Sequence, residues 1–587
     1  MPSNLGTPRQ RRFDRSGQKT NEALEAISAG QKIVITAPFG GFCPDLGPNI
    51  ADFRDCSELR GLISLGGRLV PAPGFIRLGT ATLPLGDASP PAAAVDAQPV
   101  TGLLSYRDSL VSGGTNRRYA VTANTTLGRF YELVGSTWTH IPYTGAGAGL
   151  SGSSAGAGAA QTLCDFASYP AANSIYLSNG FDAVYVYVPG AANYTEFTAG
   201  AFTPFKARTI CTAFDRVFFL NTTEAGSARP FRLRYTNRSA TPDLTSLGSG
   251  QIDFLEVSSE GTAVRRIGNF LAVYFKRGTA FLRETGDVFD PFRREYISTS
   301  RGVIGPYAVT DLGTGRHFGI FNDGWFFLDD DGKFTEAGQR ATELAVFSKW
   351  TRTFYQQLNT EQLGRTFVQY DPLFRIIWVL WTDTSSSHPN RLWAYDTTSD
   401  TVWPLETNFP EMPNVLQLYT SLSDTVTYAG AGGLFYDTTT QSYSQFEIRE
   451  GLDLLSYGTR SGLVLTQDPR LITVDSMVPT WQYKTFKSAL GRPDLIKTWS
   501  KLQATYVQSE LAPPFNAVLH ADSQAVSVPL EQVNEMPGDP SLDYANEIVS
   551  GVTIGTEVSG QHPVAITDLL IELRYDGGEA LKPEGAV

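Results

Sequence analysis

The sequence predicts a mainly β fold: a β-propeller joined to a separate antiparallel β domain, with little helix. Three observations predict it. Aromatic and β-branched runs of four to eight residues, bounded by Gly, Asn, Asp and Pro, fill most of the chain. Many runs share one form, in which a turn leads into an aromatic strand, an Asp/Gly/Thr turn follows, and another aromatic residue comes next. Helical periodicity is rare.

The repeating unit appears six times in order. GRFYELVGSTWTHI starts at Gly128, FDAVYVYVPGAANYTEF at Phe181 and RGTAFLRETGDVFDPF at Arg277. DGWFFLDDDGKFTEAG starts at Asp323, NRLWAYDTTSDTVWPLE at Asn390 and GGLFYDTTTQSYSQF at Gly432. Most intervals are roughly 40–70 residues, and the one from 181 to 277 is near twice the period. RVFFLN (216–221) and FRLRYTNR (231–238) fall in that gap and can supply another unit, and NFLAVYFKR (269–277) is a further single strand. A degenerate period with several short strands per repeat is the pattern of a propeller. A single four-stranded blade cannot bury both of its faces, so blades stack radially around a channel. The units give about six blades; five or seven fit the same spacing. A pair of β-sandwiches would contain similar hairpins, but its turn signals recur every ~8–12 residues, and the longer period favours the propeller.

Around this body the chain divides in three. Residues 1–100, rich in Pro and Gly, read as an arm with a few strands and a linker at ASPPAAAVDAQP (88–99). Residues 101–444 are the propeller-like domain. In 445–587 the aromatic unit stops, while strand-like alternation continues in KLQATYVQ (501–508), NAVLHADSQAVSVPL (516–530) and AITDLLIELRYDG (565–577). Two helices are predicted. One is short, over 20–29, with Thr20 or Asn21 as N-cap. The other spans 341–360, where Leu344, Phe347, Trp350, Phe354 and Leu358 recur at spacings of three and four.

The chain has 587 residues, 42% hydrophobic and 18% charged, with a net charge of −12. It is too apolar for a disordered protein and too poor in charge for a coiled coil. It lacks the excess of Lys and Arg that a nucleic-acid-coating surface needs to displace counterions. The acidity is local. Residues 502–587 hold 13 acidic side chains against Arg574 and Lys582, a net of −11, while residues 1–30 are net +2. An acidic collar or lumen wall built from this block would let a polyanion slide; a solvated surface explains the same charge.

Sites of chemistry are scarce. Cys43, Cys56, Cys164 and Cys211 are widely spaced, form no CxxC, and read as buried or free thiols. Arg9, Arg11, Arg12 and Arg15 are followed by no apolar run, so no signal peptide is read there, and no transmembrane helix is read anywhere. Gly147-Ala148-Gly149-Leu150-Ser151-Gly152 matches GxGxxG but lies in an Ala/Gly/Ser tract and reads as a loop. Asp329-Asp330-Asp331-Gly332 lacks the twelve-residue register of a calcium loop and reads as a hairpin turn. His140, His317, His388, His520 and His562 form no HxH or HExxH, and no Ser stands in GxSxG. A propeller glycosidase would need two carboxylates facing one cleft, and no acidic motif marks such a pair. No catalytic, cofactor-binding or metal-ligating residue is assigned.

Several stretches, in order, resemble the tail nozzle (tail hub) proteins of short-tailed bacteriophages, the group that includes packaged-DNA stabilisation and tail tubular proteins. NIADFRDCSELRGLISLGGRLVPAPGFIRLGT (49–80) is similar to their opening strands and basic turn. KARTICTAFDRVFFLN (206–221) and RPFRLRYTNRSATPDLT (229–245) resemble their inner-sheet strand and Tyr-Thr-Asn turn. The longest likeness is 261–336, a run of strand, Lys-Arg turn, strand, Gly-x-x-Gly-Pro-like link and Gly-aromatic hairpin. The turn at Asp371-Pro372, the Trp378/Trp381 strand and the NRLWAYD hairpin follow. The likeness covers roughly residues 40–440, and it lies in the order of the stretches. It implies a structural virion protein without enzymatic activity or cofactor. Six copies would form a ring below the head-to-tail adaptor and portal, holding packaged double-stranded DNA and conducting it through the lumen at ejection. A needle, plug or tail fibres or spikes would sit at the lower end. The contrasting expectation is a propeller-type tail protein that binds or degrades glycans.

Overall fold

The computed structural model describes residues 31–36, 41–46, 55–65, 68–79, 99–108, 115–123, 128–145, 149–151, 163–287, 290–313, 315–341, 345–420, 453–468 and 480–485. It also describes the C-terminal segments 496–508, 516–522, 524–528, 531–532, 541–545, 550–551, 554–560 and 564–576. The strands within them are mostly antiparallel neighbours in sequence, as the hairpin units require.

Seven four-stranded antiparallel sheets make up the body, one more than the units alone suggest. Blade 1 runs from Val100–Asp108 to Thr137–Ile141, and blade 2 from Asp165–Tyr169 to Thr195–Glu196. Blade 3 runs from Phe205–Ala213 to Gly250–Asp253 and fills the gap between the second and third units. Blade 4 runs from Gly261–Ile267 to Phe292–Ser298, blade 5 from Val309–Asp311 to Phe334–Glu336, and blade 6 from Phe367–Asp371 to Thr401–Pro404. The first strand of each blade neighbours the first strand of the next, and that of blade 7 neighbours that of blade 1, so the ring closes around a channel.

Blade 7 corrects two domain boundaries. Its strands are Pro413–Thr420, Asp453–Thr459, Val464–Asp468 and, outermost, Gly74–Arg77. The propeller therefore passes the boundary placed at 444 and takes its last strand from the arm. That strand is recruited by pairing, with Gly74 opposite Asp468 and Arg77 opposite Leu465. The unit at Gly432 lies outside the described residues, as do the helix over 20–29 and the linker at 88–98.

Faces of adjacent blades pack on one another, which explains the aromatic content. In blade 6 every residue of Ile376–Trp381 is buried, because its two faces meet blades 5 and 7. Trp325, Trp350, Phe354, Trp381 and Trp393 meet edge to face or tilted between blades 5 and 6, the geometry ring quadrupoles favour.

A second β unit uses both ends of the chain. Five strands pair in the order Cys56–Arg60, Trp481–Thr485, Ile554–Gly560, Asn516–Ala521, Gln524–Val528. An eight-stranded sheet is centred on Val564–Asp576 and Ile496–Gln508, which pair along their length. Leu62–Leu65, Arg68–Pro71 and Gln31–Thr36 join it from the N-terminal side. The C-terminal domain is thus β as expected, and the arm supplies part of both sheets.

The helix expected over 341–360 is largely replaced. Gln339–Ala341 and Val346–Ser348 pair as a ribbon, and among the described residues of that range the α-helix is Thr351–Gln357 (α1). Val346 and Phe347 suit a strand, and the ribbon satisfies their backbone. Trp350, Phe354 and Leu358 still share one buried side, as their spacing predicted. Residue 344 lies outside the described residues.

Candidate functional site

The ring is held near its channel by a few buried polar groups. Asp165 opens the first strand of blade 2. Its carboxylate accepts from Thr209 Oγ1 at 2.7 Å and Ile210 N at 3.0 Å in blade 3, and pairs with the Arg265 guanidinium of blade 4 at 3.3 Å. Arg265 also donates to Pro306 O at 3.2 Å, on the segment entering blade 5. One carboxylate and one guanidinium thus join four blades. Burial opposes the Arg265 charge most strongly, and the attraction of Asp165 together with the smaller contributions of Cys211 and Tyr307 outweighs it, leaving the guanidinium pKa above its ordinary value.

Other bonds close the ring. Asn414 Nδ2 donates to Val100 O at 2.7 Å, and Tyr419 OH to Tyr119 O at 2.6 Å, both from blade 7 to blade 1. Asp371 in blade 6 is fully buried. It accepts from Gln467 Nε2 of blade 7 at 3.0 Å, from Trp378 Nε1 at 3.3 Å and from the amides of Leu373 and Phe374. Burial nevertheless raises its pKa.

The second unit is fastened along blade 6 and the link that precedes it. Phe42 bridges Val402 and Cys56, Gly61 N donates to Pro404 O at 3.0 Å, and Asn408 Nδ2 donates to Gly61 O at 3.1 Å. Asp45 caps α1 from afar, accepting from Arg352 N at 2.7 Å, Thr353 N at 2.9 Å and Ser348 Oγ at 2.6 Å. Asp55 takes a two-pronged bond from Arg340, one prong at 3.0 Å. Carboxylates from the arm meet donors of the propeller link, a charge-assisted seam.

The residues singled out in the sequence are dispersed. His317 is buried between Tyr274 OH and Arg266 O, each at 2.7 Å. A carbonyl can only accept, so Nε2 carries the proton and Nδ1 accepts from the tyrosine. His140 lies beside Tyr131, His388 beside Ser387, and His520 pairs with Glu557 at 3.1 Å; His562 is outside the described residues. None of the four cysteines is in a disulfide, and three of them are buried. Asp329–Gly332 is the expected turn: Gly332 N donates to Asp329 O, with φ +83° at the glycine. Of the GxGxxG tract, residues 149–151 are described; Ser151 N donates to Asp182 Oδ2 at 2.7 Å. Among the described residues no group of His, Cys, Asp and Glu could hold a metal ion, and no helix is long and apolar enough to cross a membrane. Of the acidic block after residue 501, only the side chains of Asp522 and Glu557 are described. Glu557 is spent on His520, Gln482 and Lys484. The collar expectation otherwise lies outside the described side chains.

Sequence reasoning missed Asp45, Asp55, Asp165, Arg265 and Asp371. The partners that tie blades and units together lie far away in the chain, 44 residues from Asp165 to Thr209, 96 from Asp371 to Gln467 and 307 from Asp45 to Arg352, so no local motif marks them.

No protein-family model matches the chain, and no curated protein matches it. Solved structures do. YCF48 from Cyanidioschyzon merolae aligns at 10% identity over 68% of this chain and 99% of its own, with a TM-score of 0.36. The WD40 β-propeller domain of Doa1 aligns at 9% over 68% and 97%, with a TM-score of 0.34. An exo-β-1,3-galactanase from Phanerochaete chrysosporium aligns at 8% over 85% and 100%, with a TM-score of 0.24.

Proposed function

We propose that the chain is a tail nozzle subunit of a short-tailed bacteriophage, a structural protein of a DNA-conducting ring. The observation that carries this reading is the ordered likeness of residues 40–440 to that family, now spread over consecutive parts of one body. Residues 49–80 supply strands of the second unit and the closing strand of blade 7, and 261–336 make blades 4 and 5. The polar groups near the channel support it as well. Asp165, Arg265 and Asp371 are engaged in holding blades together rather than facing one another across a cleft. A subunit in a conduit needs such a stiff body, since it must carry load without doing chemistry. In this reading six copies assemble below the adaptor in the virion, with DNA passing through without sequence-specific contacts and a needle, plug or fibre closing the far end.

The test is co-expression of the full chain with a head-to-tail adaptor, followed by electron microscopy of the purified complex. Rings of six copies seated on the adaptor are expected. Monomers only, with the adaptor present and itself assembled, would overturn the reading.

A further inference from the structure

Among the described residues, one of the innermost strands carries a half-buried arginine that the fold does not spend. Arg208 lies on Phe205–Ala213, the first strand of blade 3, and is half-buried. Among the described residues it makes no hydrogen bond or ion pair. Its stem lies against Gly180, where an added Cβ would meet Cδ at 3.0 Å. Its Nη2 lies against Gly364, where an added Cβ would meet it at 3.0 Å. Gly364 belongs to the turn entering blade 6, and blades 4 and 5 stand between that turn and blade 3 in the ring. The guanidinium therefore reaches across the mouth of the channel.

Its surroundings are polar. Tyr307 stacks on Phe367 with centroids 4.7 Å apart, and its hydroxyl makes no hydrogen bond to a described residue. Arg208 and Tyr307 both meet the turn at 364–367, and Arg265 donates to Pro306 O beside Tyr307; the charges of Asp165, Arg208 and Arg265 act on the hydroxyl, that of the carboxylate most strongly. Asp165 is already engaged by Thr209, Ile210 and Arg265. Arg265 is thus matched by that carboxylate, and among the described residues Arg208 is left without one. Arg365, next to Gly364, adds to the positive potential: burial and then the nearby Arg460 lower its pKa to about 10. A guanidinium fork and a phenol on one turn at a partly desolvated mouth match the oxygens of a phosphate or carboxylate group.

We propose that Arg208 and Tyr307, backed by Arg265, form a site for a small oxyanion, a phosphate or carboxylate group, at the mouth of the propeller channel. Arg208 supplies the fork, Tyr307 donates one hydrogen bond, and Arg265 contributes charge while holding Asp165. The site is independent of whether the subunit belongs to a tail, so assembly and binding can fail separately.

The test is the ³¹P line width of inorganic phosphate titrated with the full chain, with acetate then added as competitor. Saturable broadening is expected for the native chain. R208Q and Y307F should each weaken it about tenfold or more, and R208K, which keeps the charge but loses the fork, should fall between. R266Q, at an exposed arginine bonded to Gly268 O, should match the native chain. Displacement by acetate identifies a general oxyanion site, and broadening that acetate leaves intact identifies a phosphate site. No broadening with the native chain, or equal broadening with R208Q, overturns the proposal.

Discussion

At the scale of single residues, Gly61 shows how narrowly the seam is built. Its φ is +70°, and an added Cβ would lie 2.4 Å from Thr480 O and 2.6 Å from Asn408 Oδ1. Gly135 has a similar φ of +61° but nothing within 4 Å. Both Gly→Ala changes incur the left-handed penalty of roughly 1–2 kcal/mol. Gly61→Ala must also move backbone, so it should destabilise by at least about 2 kcal/mol more than Gly135→Ala in urea titrations. Equal losses would show that the seam yields. The sequence makes the buried spacing of Trp350, Phe354 and Leu358 legible, because one stretch of chain carries it. Nothing local marks Asp165 as the residue that three blades share. A carboxylate before an aromatic strand looks the same whether its partners are water or a distant arginine.

At the scale of elements, hairpins are readable because their turns are. The units from Gly128, Phe181, Arg277, Asp323 and Asn390 become the outer hairpins of blades 1, 2, 4, 5 and 6. The fourth strand of blade 7 is not readable as such. Gly74–Arg77 is a short apolar run, and its partner Val464–Asp468 lies near the other end of the chain. That strand brings Phe75, 1% exposed, against Trp378, Phe409 and Tyr457. Phe75→Ala removes the shared ring and leaves a cavity, with an expected loss of about 3–5 kcal/mol. Thermal unfolding checks it, and the exposed Val188→Ala serves as reference. A loss no larger than the reference would mean that blade 7 is held by its other three strands alone.

At the scale of the whole molecule, stability is bounded by titrating groups of opposite sense. Glu406, on the turn between blades 6 and 7, is half-buried with Arg391 at 4.0 Å; burial raises its pKa to about 7. The folded chain then holds a proton that the unfolded chain has released between about pH 4.5 and 7. Stability is full below that window and falls as pH rises through it. His317 and His388 act the other way. Burial lowers both to about 4, so their contribution is full above 6.5 and lost as pH falls toward 4. Glu406→Gln should remove a decline of up to about 3 kcal/mol between pH 5 and 7.5 in urea midpoints. An unchanged profile would mean that Glu406 titrates alike in both states.

The strand that closes blade 7 also sets an order in time. Gly74–Arg77 leaves the ribosome early, and its partner Val464–Asp468 follows about 390 residues later. At ~5–20 residues per second the delay is roughly 20–80 s. Through that interval the first six blades can form, yet the ring stays an open arc with an unpaired apolar run at its start. The same segment leads straight back into Arg68–Pro71 of the second unit, whose C-terminal strands are made later still. Closure of the ring and completion of that unit are therefore late, linked events, and a nascent chain stalled before residue 464 holds six blades and no circle.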